Sequence, residues 1–465
     1  MHGRHIARPV CTALAAALLA LPDVSGTAAA QYPSQEHAFA VREVIGGLAR
    51  PWSIAFLPDG ALLVTERPGR LRLWRAGELH TVAGVPAVVA SGQGGLLDVV
   101  LHPEHAANGL LYLTHSASYD GGLGTAITRA RLDAAALELR DSVTIYRMPQ
   151  PPLGSVHFGG RMAFDGAGFL YLGIGDRGQR EHAQRLDRAN GKVLRLHDGG
   201  AIPADNPFVA TPGALPEVFT YGHRNPQGLY HDPETGWLWE HEHGPQGGDS
   251  LNILQGGANY GWPVATYGVE YGSAQPIGDL PHEREDIANP VTWWGPTSIA
   301  PSGLTRYRGD PFPRWHGNLF LGTLGQRHIR RLVIADATVL DEEVMLWWSH
   351  GRIRDVRAGP DGHIYFCTDE NPGGVYRIEP LTAASYWQDL PGPAGWRYTG
   401  SAGQTGLGWV RDAAWPWVYI PDPQGGWLWR AAAAAGGAGF YAWRYAVADA
   451  GWVYVDGTAG TVAPL

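Results

Sequence analysis

The chain has 465 residues, a formal charge of -9, 64 Gly, 35 Pro and 19 Trp, and no long amphipathic helical pattern. That composition points to a turn-rich, all-β protein, long enough for two or three domains or for one large domain with an appendage. Mild acidity argues against a nucleic-acid partner, and with only Cys11 and Cys367 there is no disulfide framework.

Residues 1–30 read as a secretory signal peptide: Arg4 and Arg8, an apolar run over 10–21, then Ala28, Ala29 and Ala30 before Gln31. The run is too short to anchor the chain across a bilayer. The expectation is therefore a soluble, periplasmic or secreted protein that starts near Gln31, with a charge of about -10 once two Arg and one Asp have gone. Cys11 leaves with the leader. Cys367 lies in the alternating run 364–368, where a buried, inert thiol is expected.

From there one pattern recurs: polar lead-in, short apolar strand, tight turn, second apolar strand. It spans 52–65, with Pro58-Asp59-Gly60 at the turn, and returns at 96–114, 161–173, 228–240, 302–322 and 354–368. Each copy is followed by enough chain for two more strands. Such repetition predicts a β-propeller of six blades over residues 36–380.

In a propeller the first strand of every blade lines the central channel, and the residues just before these strands gather at one mouth. Here they are Gln93, His157, Arg224 with Asn225, then Trp293, Trp294 and Ser298, then Arg352 and Arg354. Turn-making would favour Gly, Asn, Asp and Pro at such places, so the arginines and His157 point to a ligand site. Exits from the second strands are expected to carry Asp176, Gly244, Pro245 and Asp369 to the opposite end or to its rim.

The arginines suit a ligand with several carboxylates. Carbonyls of Gly244 and Pro245 suit Ca²⁺. Trp293 or Trp294 would lie flat on a planar ring or serve as ordinary core. His157, if neutral, would take a proton from a hydroxyl while Arg224 stabilises the negative charge that develops. Asp176 would orient His157 or a substrate hydroxyl, or cap a turn. His223, His241 and His243 lack zinc-site spacing and read as surface or supporting groups.

Beyond residue 380 the composition changes, and nine of the 19 Trp fall in the last 85 residues. Gly and alternating aromatics recur at 395–398, 408–411, 415–419, 426–429 and 451–454, predicting a small Trp-rich antiparallel β module over 381–465 with a flexible loop at 431–437. Its aromatics would fill a small core or offer a binding surface.

Seven segments in order, 92–97, 157–161, 174–178, 222–228, 242–245, 300–303 and 352–355, resemble those of the soluble pyrroloquinoline-quinone (PQQ)-dependent glucose dehydrogenases and the aldose sugar dehydrogenases, the glucose/sorbosone dehydrogenase family. The resemblance implies a six-bladed propeller that oxidises aldose sugars at C1 to the lactone, with hydride passing to PQQ. By the same likeness His157 is the general base, Gln93, Arg224, Asn225, Arg352 and Arg354 contact the cofactor, and Gly244 and Pro245 hold Ca²⁺ through their carbonyls. In two places the chain departs from that pattern. A cofactor-contacting lysine of the glucose enzymes is missing near Gly325, leaving Arg327 as its nearest replacement, and the aromatic segment 293–296 differs on the substrate side. The preferred sugar and the natural electron acceptor are not legible. A propeller acting on sugar lactones would need carboxylate metal ligands at the channel, and a non-catalytic recognition propeller would have no need of both His157 and Arg224.

Overall fold

The computed structural model describes residues 30–381 and, beyond them, seven strands between Trp396 and Pro464. Of the signal peptide expected over residues 1–30, residues 1–29 lie outside the described residues. Among the described residues no helix is long and apolar enough to cross a membrane.

Six antiparallel sheets form the body of the molecule, as the repeat predicts. Five are four-stranded and consecutive in sequence: blade 1 (51–82), blade 2 (96–147), blade 3 (162–221), blade 4 (226–294) and blade 5 (301–345). Blade 6 takes three strands from 353–380 and completes itself with Phe39–Leu48, which pairs antiparallel along Gly373–Pro380. Both ends of the propeller chain thus share one sheet, so the ring is closed by backbone hydrogen bonds. The first strands, Pro51–Phe56, Leu96–Leu101, Met162–Phe164, Pro226–His231, Pro301–Arg306 and Ile353–Ala358, contact one another in sequence, and the last contacts the first.

The core follows from this geometry. Every blade is covered on both faces, so inner strands such as Leu62–Glu66 and Ile364–Thr368 are buried along their whole length. Apolar residues collect in six slabs, one between each pair of neighbouring blades. Leu63, Leu73, Val99 and Leu113 fill the slab between blades 1 and 2, and Trp315, Phe320, Phe366 and Ile378 fill the one between blades 5 and 6. Cys367 is fully buried between blades 6 and 1, and burial pushes its thiol pKa up, so it is inert as expected.

The axis is polar. Arg161 is fully buried there: Nε donates to Gln227 O, Nη2 to Arg354 O and Trp52 O, and Nη1 lies 3.5 Å from Asp98 and 3.1 Å from Asp355. Its guanidinium lies over the Trp52 ring at 4.0 Å. One side chain of blade 3 therefore ties down blades 1, 2, 4 and 6.

A second device aims side chains at the axis. The pairing register slips near the start of the first strand in blades 1, 2, 4, 5 and 6, and the slip leaves Trp52, Gln227, Gly303 and Arg354 unpaired in blades 1, 4, 5 and 6. Such bulges redirect a side chain at a strand end.

Of the strands beyond residue 381, Trp396–Tyr398 pairs with Trp409–Arg411, and the five from Trp417–Ile420 to Thr461–Pro464 form an antiparallel meander. Of the loop expected at 431–437, residues 431–433 belong to the strand Gly426–Ala433, and residues 434–437 lie outside the described residues.

Candidate active site

His157 and Asp176 come from neighbouring loops of blade 3. Nδ1 of His157 lies 2.6 Å from Oδ1 of Asp176, and the His157 amide donates to Gln93 Oε1 at 2.7 Å. Asp176 is fixed in turn: Gly178 N–H donates to Oδ1 and Trp262 Nε1–H to Oδ2, each at 2.8 Å. Burial alone would raise this carboxyl, but the His157 hydrogen bond and charge, with the Gly178 amide and Arg224, hold it below its ordinary value. An ionised Asp176 therefore accepts the Nδ1 proton. When the ring is neutral, Nε2 is a lone-pair nitrogen; the His157 side chain is 16% exposed, and Nε2 has no hydrogen-bond partner among the described residues. Of the three readings of Asp176, the structure shows it against His157 and also holding the turn at Gly178.

The local sequence explains this closeness. His157 itself has φ +49, and the loop crosses Gly175 so tightly that a Cβ there would meet His157 O at 2.2 Å. Only glycine fits such an approach.

Arg224 and Asn225 stand beside the Gly244 turn, which was expected at the opposite end or its rim. Nη1 of Arg224 donates to Gly244 O at 2.5 Å and His243 O at 3.2 Å, while the Asn225 carbonyl accepts the His243 amide at 3.1 Å. The Arg224 amide donates to Glu242 Oε2 at 2.5 Å, and its carbonyl accepts the Asp176 amide at 2.8 Å. Asn225 Oδ1 accepts from Gly159 N–H at 3.2 Å.

Across the axis, Arg354 donates through Nη2 to Asp369 Oδ2 at 2.7 Å and through Nη1 to Gln227 Oε1 at 3.2 Å. Arg352 lies 3.6 Å from the same carboxylate. Asp369 and Asp176 were expected at the opposite end or rim; both sit beside the residues that precede the first strands. Antiparallel pairing dictates this, because the end of each second strand lies opposite the start of the first, as Thr368 does opposite Ile353. Two further cations, missed in the sequence, share the mouth. Arg67 feels Asp369, Arg354, Arg50 and Arg352, and Arg50 lies 3.8 Å from Asp369. Burial, followed by Arg354, lowers the Arg352 pKa. Position in the second-strand exit of blade 1 is the signal that would have found Arg67.

The remaining candidates sit outside this chain of contacts. Ser298 hydrogen-bonds both oxygens of Asp249, whose Oδ1 also accepts Gly244 N–H at 2.8 Å, so it anchors the Gly244 turn. Burial raises the Asp249 carboxyl despite these bonds. Trp293 is exposed and stacked on Tyr267 at 4.6 Å with rings 7° apart. Trp294 is core, between blades 4 and 5, with Nε1 donating to Glu342 at 2.7 Å. Arg327 lies over the Trp348 ring at 4.6 Å and within electrostatic reach of Arg352. His223 and His241 are fully buried, so of the two readings, surface or supporting groups, the first does not hold for them.

As they stand, the Gly244 and Pro245 carbonyls do not fit Ca²⁺. The Arg224 guanidinium already occupies Gly244 O, the Tyr271 hydroxyl donates to Pro245 O at 3.0 Å, and Asp249 is turned to protein donors. An anionic ligand fits the mouth better. Its cations outnumber its free carboxylates, and Nε of Arg354 is a buried donor with no acceptor among the described residues.

Comparison with known proteins matches this arrangement. The profile of the "Glucose / Sorbosone dehydrogenase" family matches residues 48–377. Aldose sugar dehydrogenase YliI of Escherichia coli (strain K12) is 43% identical over 342 residues, covering 72% of this chain and 91% of that protein. The crystal structure of the soluble aldose sugar dehydrogenase from Escherichia coli in the apo-form aligns with TM-score 0.70 and 42% identity, over 74% of this chain and 99% of that one. The PQQ-bound form of aldose sugar dehydrogenase from Streptomyces coelicolor aligns with TM-score 0.62 and 28% identity, over 73% and 98%. The first strands of all six blades fall within the matched span, and with its closed ring and convergent mouth the chain is a member of the glucose/sorbosone dehydrogenase family.

Proposed function

We propose that the protein is an exported oxidoreductase that oxidises aldose sugars at C1 to the lactone with PQQ. The observation that carries this reading is the 2.6 Å contact of His157 with an ionised Asp176 beside a surplus of arginines. Family membership and the PQQ-bound Streptomyces coelicolor relative support the choice of cofactor.

Arg352, Arg354 and Arg67 would pair with the carboxylates of the bound quinone, Gln93 and Asn225 would supply polar edges, and Arg224 would face its developing negative charge. PQQ, when bound, supplies a two-electron acceptor. The protein's own part is proton handling: Nε2 of His157 takes the C1 hydroxyl proton as the C1–H bond gives up its hydrogen with the electron pair and the carbonyl forms. Asp176 stabilises the imidazolium that results. Trp293 on Tyr267 offers an apolar step for a sugar ring. Ca²⁺ at Gly244 and Pro245 would require Arg224 and Tyr271 to release those carbonyls, and no step here depends on it.

We further assign residues 36–380 to the dehydrogenase domain, 381–465 to a separate module and residues 1–30 to an export signal, consistent with a periplasmic or secreted protein. The test is reconstitution: purified protein with PQQ, with and without Ca²⁺, should reduce a dye with glucose, galactose, xylose or maltose. Failure of every sugar to reduce dye in quinone-loaded protein would overturn the reading.

A further inference from the structure

We propose that His223, Glu240 and Glu242 form a buried divalent transition-metal site that clamps blade 3 to blade 4 behind the mouth. One ligand atom from each of the three lies within 4.8 Å of the others, and all three residues are buried. His223 ends the lead-out of blade 3, while Glu240 and Glu242 are alternate residues of Leu238–Glu242 and so share a face of that strand.

Three observations point to a cation between them. First, Glu240 is fully buried, yet only its Oε2 is satisfied, by Asn252 Nδ2 at 2.7 Å; Oε1 has no partner among the described residues. Were the carboxyl protonated, its O–H would need an acceptor that this oxygen lacks. Second, Nε2 of His223 is held by Thr220 Oγ1 at 2.9 Å, while Nδ1 faces Glu242 Oε1 at 3.3 Å. In the tautomer that carries its proton on Nε2 and donates it to Thr220, Nδ1 is free to ligate an ion beside that carboxylate. Such an outer hydrogen bond is how ligating imidazoles are oriented. Third, no Lys or Arg side chain pairs with either carboxylate among the described residues, so the buried negative charge has only His223 to answer it.

The surroundings complete the site. Tyr260 stacks on His223 at 4.8 Å with planes 20° apart. A cavity lined by Glu242, Ser250, Asn252 and Tyr260 adjoins it, with room for water as a further ligand. One imidazole and two carboxylates favour Zn²⁺ or a similar ion over Ca²⁺, which prefers all-oxygen shells. Because Glu242 also accepts the Arg224 amide at 2.5 Å, the clamp would stiffen the segment that presents Arg224 and Asn225. The inference stands independently of the proposed sugar chemistry.

The test uses the full chain, stripped with a chelator and free of quinone. Zn²⁺ should bind at one ion per chain and raise the melting temperature, and Co²⁺ should give the visible absorption of a low-coordinate nitrogen-ligated ion. Glu240→Leu, which replaces a buried charge with an apolar side chain, should still fold, weaken Zn²⁺ by more than about 100-fold and abolish the Co²⁺ band. Substoichiometric Zn²⁺ in the wild type, stabilisation by Ca²⁺ alone, or an unchanged Co²⁺ band in Glu240→Leu would each overturn the proposal. Should that variant not fold, the wild-type stoichiometry and Co²⁺ spectrum decide by themselves.

Discussion

Arg354 and Gln227, 127 positions apart, meet across the channel at 3.2 Å, and each is the unpaired residue of a bulge at the start of its blade's first strand. The bulges of blades 4 and 6 thus turn two side chains out of the sheets and toward one another. Gln227 also reaches Asn225 Oδ1 at 3.3 Å, so it joins the Arg354–Asp369 pair to the Arg224–Asn225 segment. Gln227→Leu should lower stability by about 1–3 kcal/mol, the cost of leaving buried donors unmatched, and should weaken quinone binding more than it alters turnover of the loaded enzyme. Denaturant midpoints and quinone titration measure the two effects.

Asp176 acts through His157 rather than on substrate. Asp176→Asn keeps the shape but removes the anion that fixes Nδ1–H, so turnover should fall on the order of 100-fold with quinone affinity nearly unchanged. Loss of affinity with turnover intact would move Asp176 out of the proton pathway. Its carboxyl lies below the ordinary value in the fold, so its contribution to stability is complete above the unfolded pKa and disappears as pH falls through the folded one.

Breaking the axial hub should cost more than any single contact at the mouth. Arg161→Met removes one of the two cations shared by the buried Asp98 and Asp355, Arg357 remaining 3.5 Å and 3.1 Å from them, and a loss of about 3 kcal/mol in urea unfolding is expected. A change below about 1 kcal/mol would show that the blades hold one another without it.

Acid should destabilise the fold before the carboxylates titrate. Burial lowers His115 and His241 from 6.5 to about 4, and both rings are buried. The unfolded chain then binds protons from pH 6.5 downward while the native chain resists until about 4, so stability is full above 6.5 and declines over that window. Each ring accounts for on the order of 3 kcal/mol. His241→Asn should flatten the slope of unfolding free energy against pH between 6.5 and 4.

Truncation after Pro380 should leave quinone binding and dye reduction intact, because Phe39–Leu48 and Gly373–Pro380 already close the ring. Loss of both activities in a folded truncation would place part of the site beyond that boundary.

Sequence periodicity located all six blades because each repeat carries its own turn chemistry and apolar strands. The observed first strands begin at Pro51, Leu96, Met162, Pro226, Pro301 and Ile353, within two residues of the repeat. Three features were hidden. The pairing of Phe39–Leu48 with the last blade is a contact between residues more than 300 positions apart, which no local pattern encodes. Arg67 and Asp369 lie in second-strand exits, and their place at the mouth follows only from antiparallel pairing. His223, Glu240 and Glu242 lack metal-motif spacing because the His comes from one blade and the carboxylates from the next.

By itself the order of residues determined the number of blades, the residue types offered to one opening and the family, since these depend on local turn and strand propensity repeated along the chain. Only the folded ring decided which groups touch: that Asp176 meets His157, that Asp369 is shared by three arginines, and that Gly244 O is held by Arg224. Those contacts depend on bulges, strand direction and blade-to-blade register, which settle only once all six sheets pack around one axis.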